Sequence, residues 1–382
     1  MLAILHAAIF SPDEVIEDGA VVIDGGRITA AGPSDDVHLP SGSEVVEARN
    51  LLLVPGFIDL QLNGAFGHDF TEHPETIYDV ATRLPCYGVT AFLPTIITSP
   101  LGAIGAAQRV MTQGALPGFA GAIPLGLHLE GPFLNPQKKG AHNPAYLRPP
   151  DLEDTIEWSP ENSVRLVTLA PELPGARAVI SSLVERSVIV SEGHSMATYA
   201  EAKAGIEVGA RYATHLFNAM PPLNHREPSL IGAMIEDDRM IIGLIVDGKH
   251  VHRSVVRLIW RALGGERLNL VTDAMAALGM PSGVYPLGDF DVKVDESTAR
   301  LADGTLAGSI LSMDQALRNL IEFTGCSLQE ALPSLTSTPA RLLAFDGRKG
   351  HIAAGYDADL VLLDSDLKVV STFVGGQRVY SL

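Results

Sequence analysis

The chain has 382 residues, 45 acidic and 27 basic, giving a formal charge of −18. That balance argues against a nucleic-acid or anionic-membrane binder, and it obliges any anionic substrate to find a locally basic pocket. With 46% hydrophobic and 19% charged residues, the chain reads as a globular enzyme with room for one α/β barrel of about 250 residues and a smaller satellite.

The first ten residues are apolar, but they lack a positively charged start and run into Ser11-Pro12-Asp13-Glu14 rather than a cleavage site. No apolar stretch reaches the ~20 residues that span a bilayer. Residues 20–28 hold two β-type runs around Asp24-Gly25-Gly26, a hairpin signal. The far end has the same character in Asp359-Leu360-Val361-Leu362-Leu363 and again from Val369 to Phe373. Neither end can bury a core alone, so residues 1–53 and 346–382 are expected to pair as the halves of a small β-sandwich. Between them, 54–345 carries eight apolar runs, at 53–60, 89–97, 123–130, 164–170, 187–192, 210–215, 241–247 and 268–273. Helix-like stretches at 78–87, 174–185 and 254–263 alternate with them. This is the pattern of a parallel sheet, and eight repeats predict closure into a (β/α)8 TIM-type barrel. An open doubly wound sheet is the structural rival, but no Gly-x-Gly-x-x-Gly follows the first run. Cys86 and Cys326 are far apart and are expected as reduced thiols in a cytoplasmic protein.

Chemistry-bearing residues close several of these runs. Glu130 ends Leu127-His128-Leu129-Glu130, His194 follows Ser191-Glu192-Gly193, His215 closes Tyr212-Ala213-Thr214-His215, and Asp273 closes Leu270-Val271-Thr272-Asp273. A (β/α)8 barrel carries its active site at the C-terminal ends of its strands. One carboxylate and two imidazoles form a three-ligand set for a catalytic metal. A further carboxylate at Asp273 is placed to manage protons. Taken singly, each residue has a plainer reading: Glu130 could pair with Lys138 or Lys139, and a strand-end histidine is more often a structural hydrogen-bonder. The coincidence of several such strand ends favours metal. His128 shares a strand face with Glu130 and is read as filling the barrel interior. His142 and His250 lie in turn-like segments and could polarise a carbonyl or hold a sugar hydroxyl. Arg226 is either a bidentate anion clamp or the partner of Glu227.

Several blocks carry a resemblance: His128-Leu129-Glu130-Gly131-Pro132-Phe133, Lys138-Lys139-Gly140-Ala141-His142-Asn143, Thr214-His215-Leu216-Phe217-Asn218-Ala219-Met220, Arg226-Glu227-Pro228, Val271-Thr272-Asp273-Ala274 and Leu306-Ala307-Gly308-Ser309. In these the chain resembles the N-acetylglucosamine-6-phosphate deacetylases of the amidohydrolase superfamily, nearly end to end. The resemblance implies one divalent metal per subunit on Glu130, His194 and His215. Zinc is the first expectation, with ferrous iron, cobalt or manganese able to occupy the same ligands. It makes Asp273 the general base and then acid, and His142 the group that polarises the acetamide. Ala141, Asn218, Ala219, His250, Ala307, Gly308 and Ser309 would line the substrate pocket. Arg226 would bind phosphate in the active site of a neighbouring subunit, so a homodimer is implied. The partner is then a small phosphorylated amino sugar, in amino-sugar catabolism or cell-wall recycling. The 4-epimer or an unphosphorylated N-acetyl sugar is the nearest alternative substrate. Where many relatives carry His-x-His after the first strand, this chain has Gln61 and Asn63, neutral amides that bind transition metals weakly.

Overall fold

The computed structural model describes all 382 residues. Eight parallel strands form a barrel: β1 (Phe57–Leu62), β2 (Val89–Ile97), β3 (Leu127–Glu130), β4 (Val164–Leu169), β5 (Ile189–Glu192), β6 (Tyr212–Ala213), β7 (Ile241–Leu244) and β8 (Leu268–Leu270). Each pairs with the next in the order of the chain. The ring closes where Leu62 bridges Ala274, with Asp273 N donating to Gln61 O at 2.9 Å and Asn63 N to Ala274 O at 2.8 Å. Almost every strand position is buried, which is why these segments read as continuous apolar runs rather than alternating ones.

The barrel interior also holds polar side chains that satisfy one another. His128 Nε2 lies 2.7 Å from Thr168 Oγ1, Thr168 Oγ1 is 2.7 Å from Thr214 Oγ1, and Thr214 Oγ1 is 2.5 Å from Ser191 Oγ. This chain of bonds ties β3, β4, β5 and the residue after β6 together directly beneath the strand ends. His128 is fully enclosed there, as an interior filler should be, and burial pushes its imidazole down to about 4, so the ring is neutral.

The helices fall where periodicity places them, with local corrections. The expected helix at 78–87 is a helix over Ile77–Arg83 that tightens into a 3-10 turn at Leu84–Tyr87, where Pro85 supplies no backbone donor. The expected helix at 254–263 is Arg253–Arg267, and its helical conformation breaks at Gly264 (φ +60°).

Strands from both ends of the chain share one further sheet: Leu2–Ser11, Glu14–Asp24, Arg27–Pro33, Glu44–Glu47 and Leu52–Pro55 from the start, and Leu360–Leu363, Val369–Val374 and Gln377–Ser381 from the end. The sheet curls, because Ile28 and Phe373 stand at opposite sides of its strand order yet lie in one buried cluster. That cluster of 14 residues is distinct from the 74-residue cluster of the barrel and its helices, which Val54, Val361, Leu363 and Val369 of the terminal sheet also join. The expected first barrel run at 53–60 is split between the two sheets. Leu52–Pro55 pairs with Leu360–Leu363, and the barrel strand begins at Phe57. The switch occurs at Gly56, where a Cβ would lie 2.1 Å from Thr90 Oγ1 and 2.4 Å from Thr90 Cγ2.

Gly56→Ala is therefore expected to destabilise the fold by about 1–3 kcal/mol through overpacking against Thr90. Urea unfolding should show a lower midpoint at unchanged slope, and an unchanged midpoint would refute this account of the junction.

Candidate metal centre and active site

Glu130 is the last residue of β3. His194, His215 and Asp273 each lie two or three residues beyond β5, β6 and β8, and all three take left-handed backbone angles, with φ of +48°, +29° and +48°. A left-handed turn immediately after a strand swings the side chain back over the barrel mouth. Each such residue costs on the order of 1–3 kcal/mol and persists only where its surroundings over-determine it.

Three atoms meet at the mouth. His194 Nε2 lies 3.1 Å from Glu130 Oε1, His215 Nε2 lies 3.0 Å from the same oxygen, and the two Nε2 atoms are 3.1 Å apart. His194 Nδ1 is 2.8 Å from the carbonyl of Lys138. A carbonyl only accepts, so Nδ1 donates and Nε2 is the nitrogen left facing Glu130. A cation among these three atoms would be bound by one carboxylate oxygen and two imidazole nitrogens. Ligands about 2.0–2.1 Å from a tetrahedral ion stand about 3.3 Å apart, close to the spacing seen. The Glu–His–His donor set, buried throughout, fits a divalent transition metal. Burial pushes the Glu130 carboxyl up, but its contacts with His194 and His215 outweigh it and hold Glu130 well below the usual carboxylate range.

Asp273 faces this triangle. Burial, and after it the charge of Glu130, push its carboxyl up to about 6. Gln61 Nε2 donates to both Glu130 Oε1 (3.0 Å) and Asp273 Oδ1 (3.1 Å), and Asn63 Nδ2 donates to Asp273 Oδ1 at 2.7 Å. The two amides thus present N–H groups to the carboxylates, where imidazoles would present lone pairs to a metal.

His142 is fully buried, with Nε2 3.6 Å from Glu130 Oε2. Its Nδ1 lies 3.3 Å from the Thr98 backbone N–H and 2.9 Å from the Thr98 hydroxyl; with Nδ1 accepting, the ring proton sits on Nε2, toward the cavity. Burial and then the neighbouring His194 push this imidazole down to about 3, so it acts as a neutral donor. His250 Nδ1 lies 2.7 Å from Asp247 Oδ2, which aims its other nitrogen at the same space.

These groups surround a cavity of about 470 Å³, within the size range of small-molecule sites. Ala141, Asn218, Ala219 and Gly308 line it with the residues already described. One sequence expectation is corrected. Ala307 and Ser309 are buried behind the wall, with the Ser309 hydroxyl donating to Thr272 O at 2.6 Å, and Leu306 and Gly308 face the cavity instead. Arg226 is exposed and lies outside the cavity, beside a separate hollow of about 610 Å³ with Met196, Pro221 and Pro228. Lys138 and Arg300 supply cationic lining that sequence reasoning missed. Arg300 ends an antiparallel insert, Gly283–Leu287, Phe290–Val294 and Ala299–Arg300. Its signal was present in the β-type runs on either side of Gly288-Asp289.

The model of the amidohydrolase family matches residues 52–379. An N-acetylglucosamine-6-phosphate deacetylase of Bacillus subtilis is 38% identical over 385 residues, covering 99% of this chain and 97% of its own. The chain belongs to the amidohydrolase family, among the N-acetylglucosamine-6-phosphate deacetylases. A Mycobacterium smegmatis enzyme of that name, solved as a variant in complex with N-acetyl-D-glucosamine-6-phosphate, superposes with a TM-score of 0.92 at 34% identity, covering 100% of this chain and 99% of that one. An N-acetylgalactosamine-6-phosphate deacetylase of Escherichia coli O157:H7 is 40% identical over 342 residues, 88% of this chain and 90% of its own. Overall identity therefore does not separate the two epimers.

Glu130→Gln is expected to weaken divalent-metal binding by more than the roughly 10–100-fold that loss of an outer hydrogen-bond partner costs. Competition with a chromophoric chelator measures it, and wild-type affinity in the variant would exclude Glu130 as a ligand.

Proposed function

We propose that the chain hydrolyses the acetamide of N-acetyl-D-glucosamine 6-phosphate to D-glucosamine 6-phosphate and acetate. The observation that carries this reading is the convergence of Asp273 and the His142 Nε2–H on the Glu130–His194–His215 triangle. It occurs in a chain aligned almost end to end with deacetylases of that name. Acyl transfer to water needs a base for the nucleophile, a donor for the developing oxyanion and an acid for the leaving nitrogen.

Glu130, His194 and His215 would hold the metal, which when bound polarises the carbonyl and acidifies water. Asp273 takes the proton of the attacking water and returns it to the departing amine. Its perturbed carboxyl suits a group that must both accept and release a proton. His142, neutral and protonated on Nε2, donates to the carbonyl oxygen as charge develops there. Lys138 and Arg300 bring positive charge to the cavity of an acidic protein, which suits the 6-phosphate. We assign one metal per chain, zinc first, because Gln61 and Asn63 turn amide N–H groups toward the carboxylates. The exposed Arg226, outside its own cavity, would reach the phosphate bound by a second copy, so the working unit is a homodimer. No helix is long and apolar enough to cross a membrane, and we place the enzyme in the cytoplasm, where unpaired thiols such as Cys86 and Cys326 persist.

Acetate release should be measured from N-acetylglucosamine 6-phosphate, its 4-epimer and the dephosphorylated sugar. The expected result is efficient turnover of the first alone, lost on chelation and restored by zinc. Silence on all three from metal-loaded protein would overturn the assignment. Asp273→Asn should retain metal and substrate affinity while kcat falls by about 10²–10⁴-fold, the scale of general acid–base catalysis. Near-normal turnover would remove Asp273 from that role. Arg226→Ala should raise KM for the phosphorylated substrate far more than it lowers kcat, and an unchanged KM would contradict the shared site.

A further inference from the structure

His194 holds a left-handed conformation (φ +48°) and offers one ring nitrogen to the metal triangle, so something must fix both its backbone and its ring. The ring is steered by the Lys138 carbonyl on Nδ1 at 2.8 Å. The backbone is tied by Asn135 N, which donates to His194 O at 2.9 Å. Both attachments lie in the short turn at 135–138, where Asn135 Oδ1 accepts from Gln137 N at 2.9 Å and Lys138 N donates to Asn135 O at 2.8 Å.

One carboxylate, three residues beyond the end of β4, joins that turn to the peptide carrying His194. Glu172 Oε1 accepts from Asn135 Nδ2 at 2.8 Å and from Met196 N at 2.7 Å, while Oε2 accepts from Ser195 Oγ at 2.7 Å. Ser195 is fully buried, and its hydroxyl in turn accepts from Ala197 N at 2.9 Å. Hydrogen bonds to an ionised acceptor are about twice as strong as neutral ones, and here three of them converge from the two segments that flank a single imidazole. Glu172 does not line the cavity, so it touches neither substrate nor metal.

We infer that Glu172 is the positioning residue for His194: its carboxylate clamps the 135–138 turn to Ser195 and Met196, setting the angle at which Nε2 meets the metal. The inference rests on the metal reading of Glu130, His194 and His215. Outer hydrogen-bond partners of this kind set ligand orientation, and their loss typically weakens metal binding by about 10–100-fold.

The test uses full-length protein stripped of metal and reloaded with Co2+, with affinity read by chelator competition and coordination by the visible d–d spectrum. Glu172→Ala should bind Co2+ about 10–100-fold more weakly, with a shifted spectrum. Glu172→Gln keeps one acceptor oxygen for Asn135 and Met196 and should recover part of both. Gly56→Ala, which strains the distant junction between the two sheets, serves as the control for a general loss of stability and should keep wild-type affinity and spectrum. Wild-type affinity and spectrum in Glu172→Ala would overturn the positioning role, as would equal changes in Gly56→Ala. Failure of the wild-type chain itself to bind would overturn the metal reading and this inference with it.

Discussion

The mutual approach of one carboxylate oxygen and two imidazole nitrogens at the barrel mouth is the constraint that the rest of the site answers to. Glu130 Oε1, His194 Nε2 and His215 Nε2 stand 3.0–3.1 Å apart, a spacing at which they can share one cation. Two of the three come from residues in left-handed backbone conformations, so the geometry is held against local preference. The parallel ladder supplies much of the holding, since β3 and β4 are in register at Glu130 and Thr168. Thr168 is bonded in turn to Thr214, the neighbour of His215. The polar chain inside the barrel therefore acts as a brace between strand ends rather than as a buried liability.

The same geometry separates two carboxyl groups of similar intrinsic acidity. Glu130 is held ionised by the imidazoles beside it, while Asp273, buried and facing the charge of Glu130, is pushed up to about 6. Gln61 touches both through one amide nitrogen. Pairs of titratable groups driven apart by their surroundings are how one site holds a fixed anion and a proton carrier together. The neutral amides of Gln61 and Asn63 donate to these carboxylates without adding charge, and the Asn63 bond draws the Asp273 carboxyl part of the way back down.

Much of this was legible in the sequence, because a strand buried on both faces leaves a continuous apolar run and a barrel puts the residue that ends it at the mouth. Glu130, His194, His215 and Asp273 were found that way, and the structure brings them together. The run at 53–60 was misread as one strand because hydrophobicity does not say which sheet a residue pairs with. Only the Thr90 side chain against Gly56 marks the switch. Ala307 and Ser309 were expected in the pocket, but both are buried behind its wall, and only their neighbours Leu306 and Gly308 line it. Arg300 was missed because it reaches the mouth on an insert far from any metal ligand in sequence. Glu172 was invisible for a different reason: its importance lies in backbone groups that converge on it, and those leave no pattern of residue types.

The most direct test of the account is anomalous diffraction from crystals of the zinc-loaded protein, collected on both sides of the metal absorption edge. The account predicts a single peak per chain, about 2.0–2.2 Å from Glu130 Oε1, His194 Nε2 and His215 Nε2. A peak centred instead on Gln61 and Asn63, or no peak at the triangle in protein that turns over substrate, would contradict it.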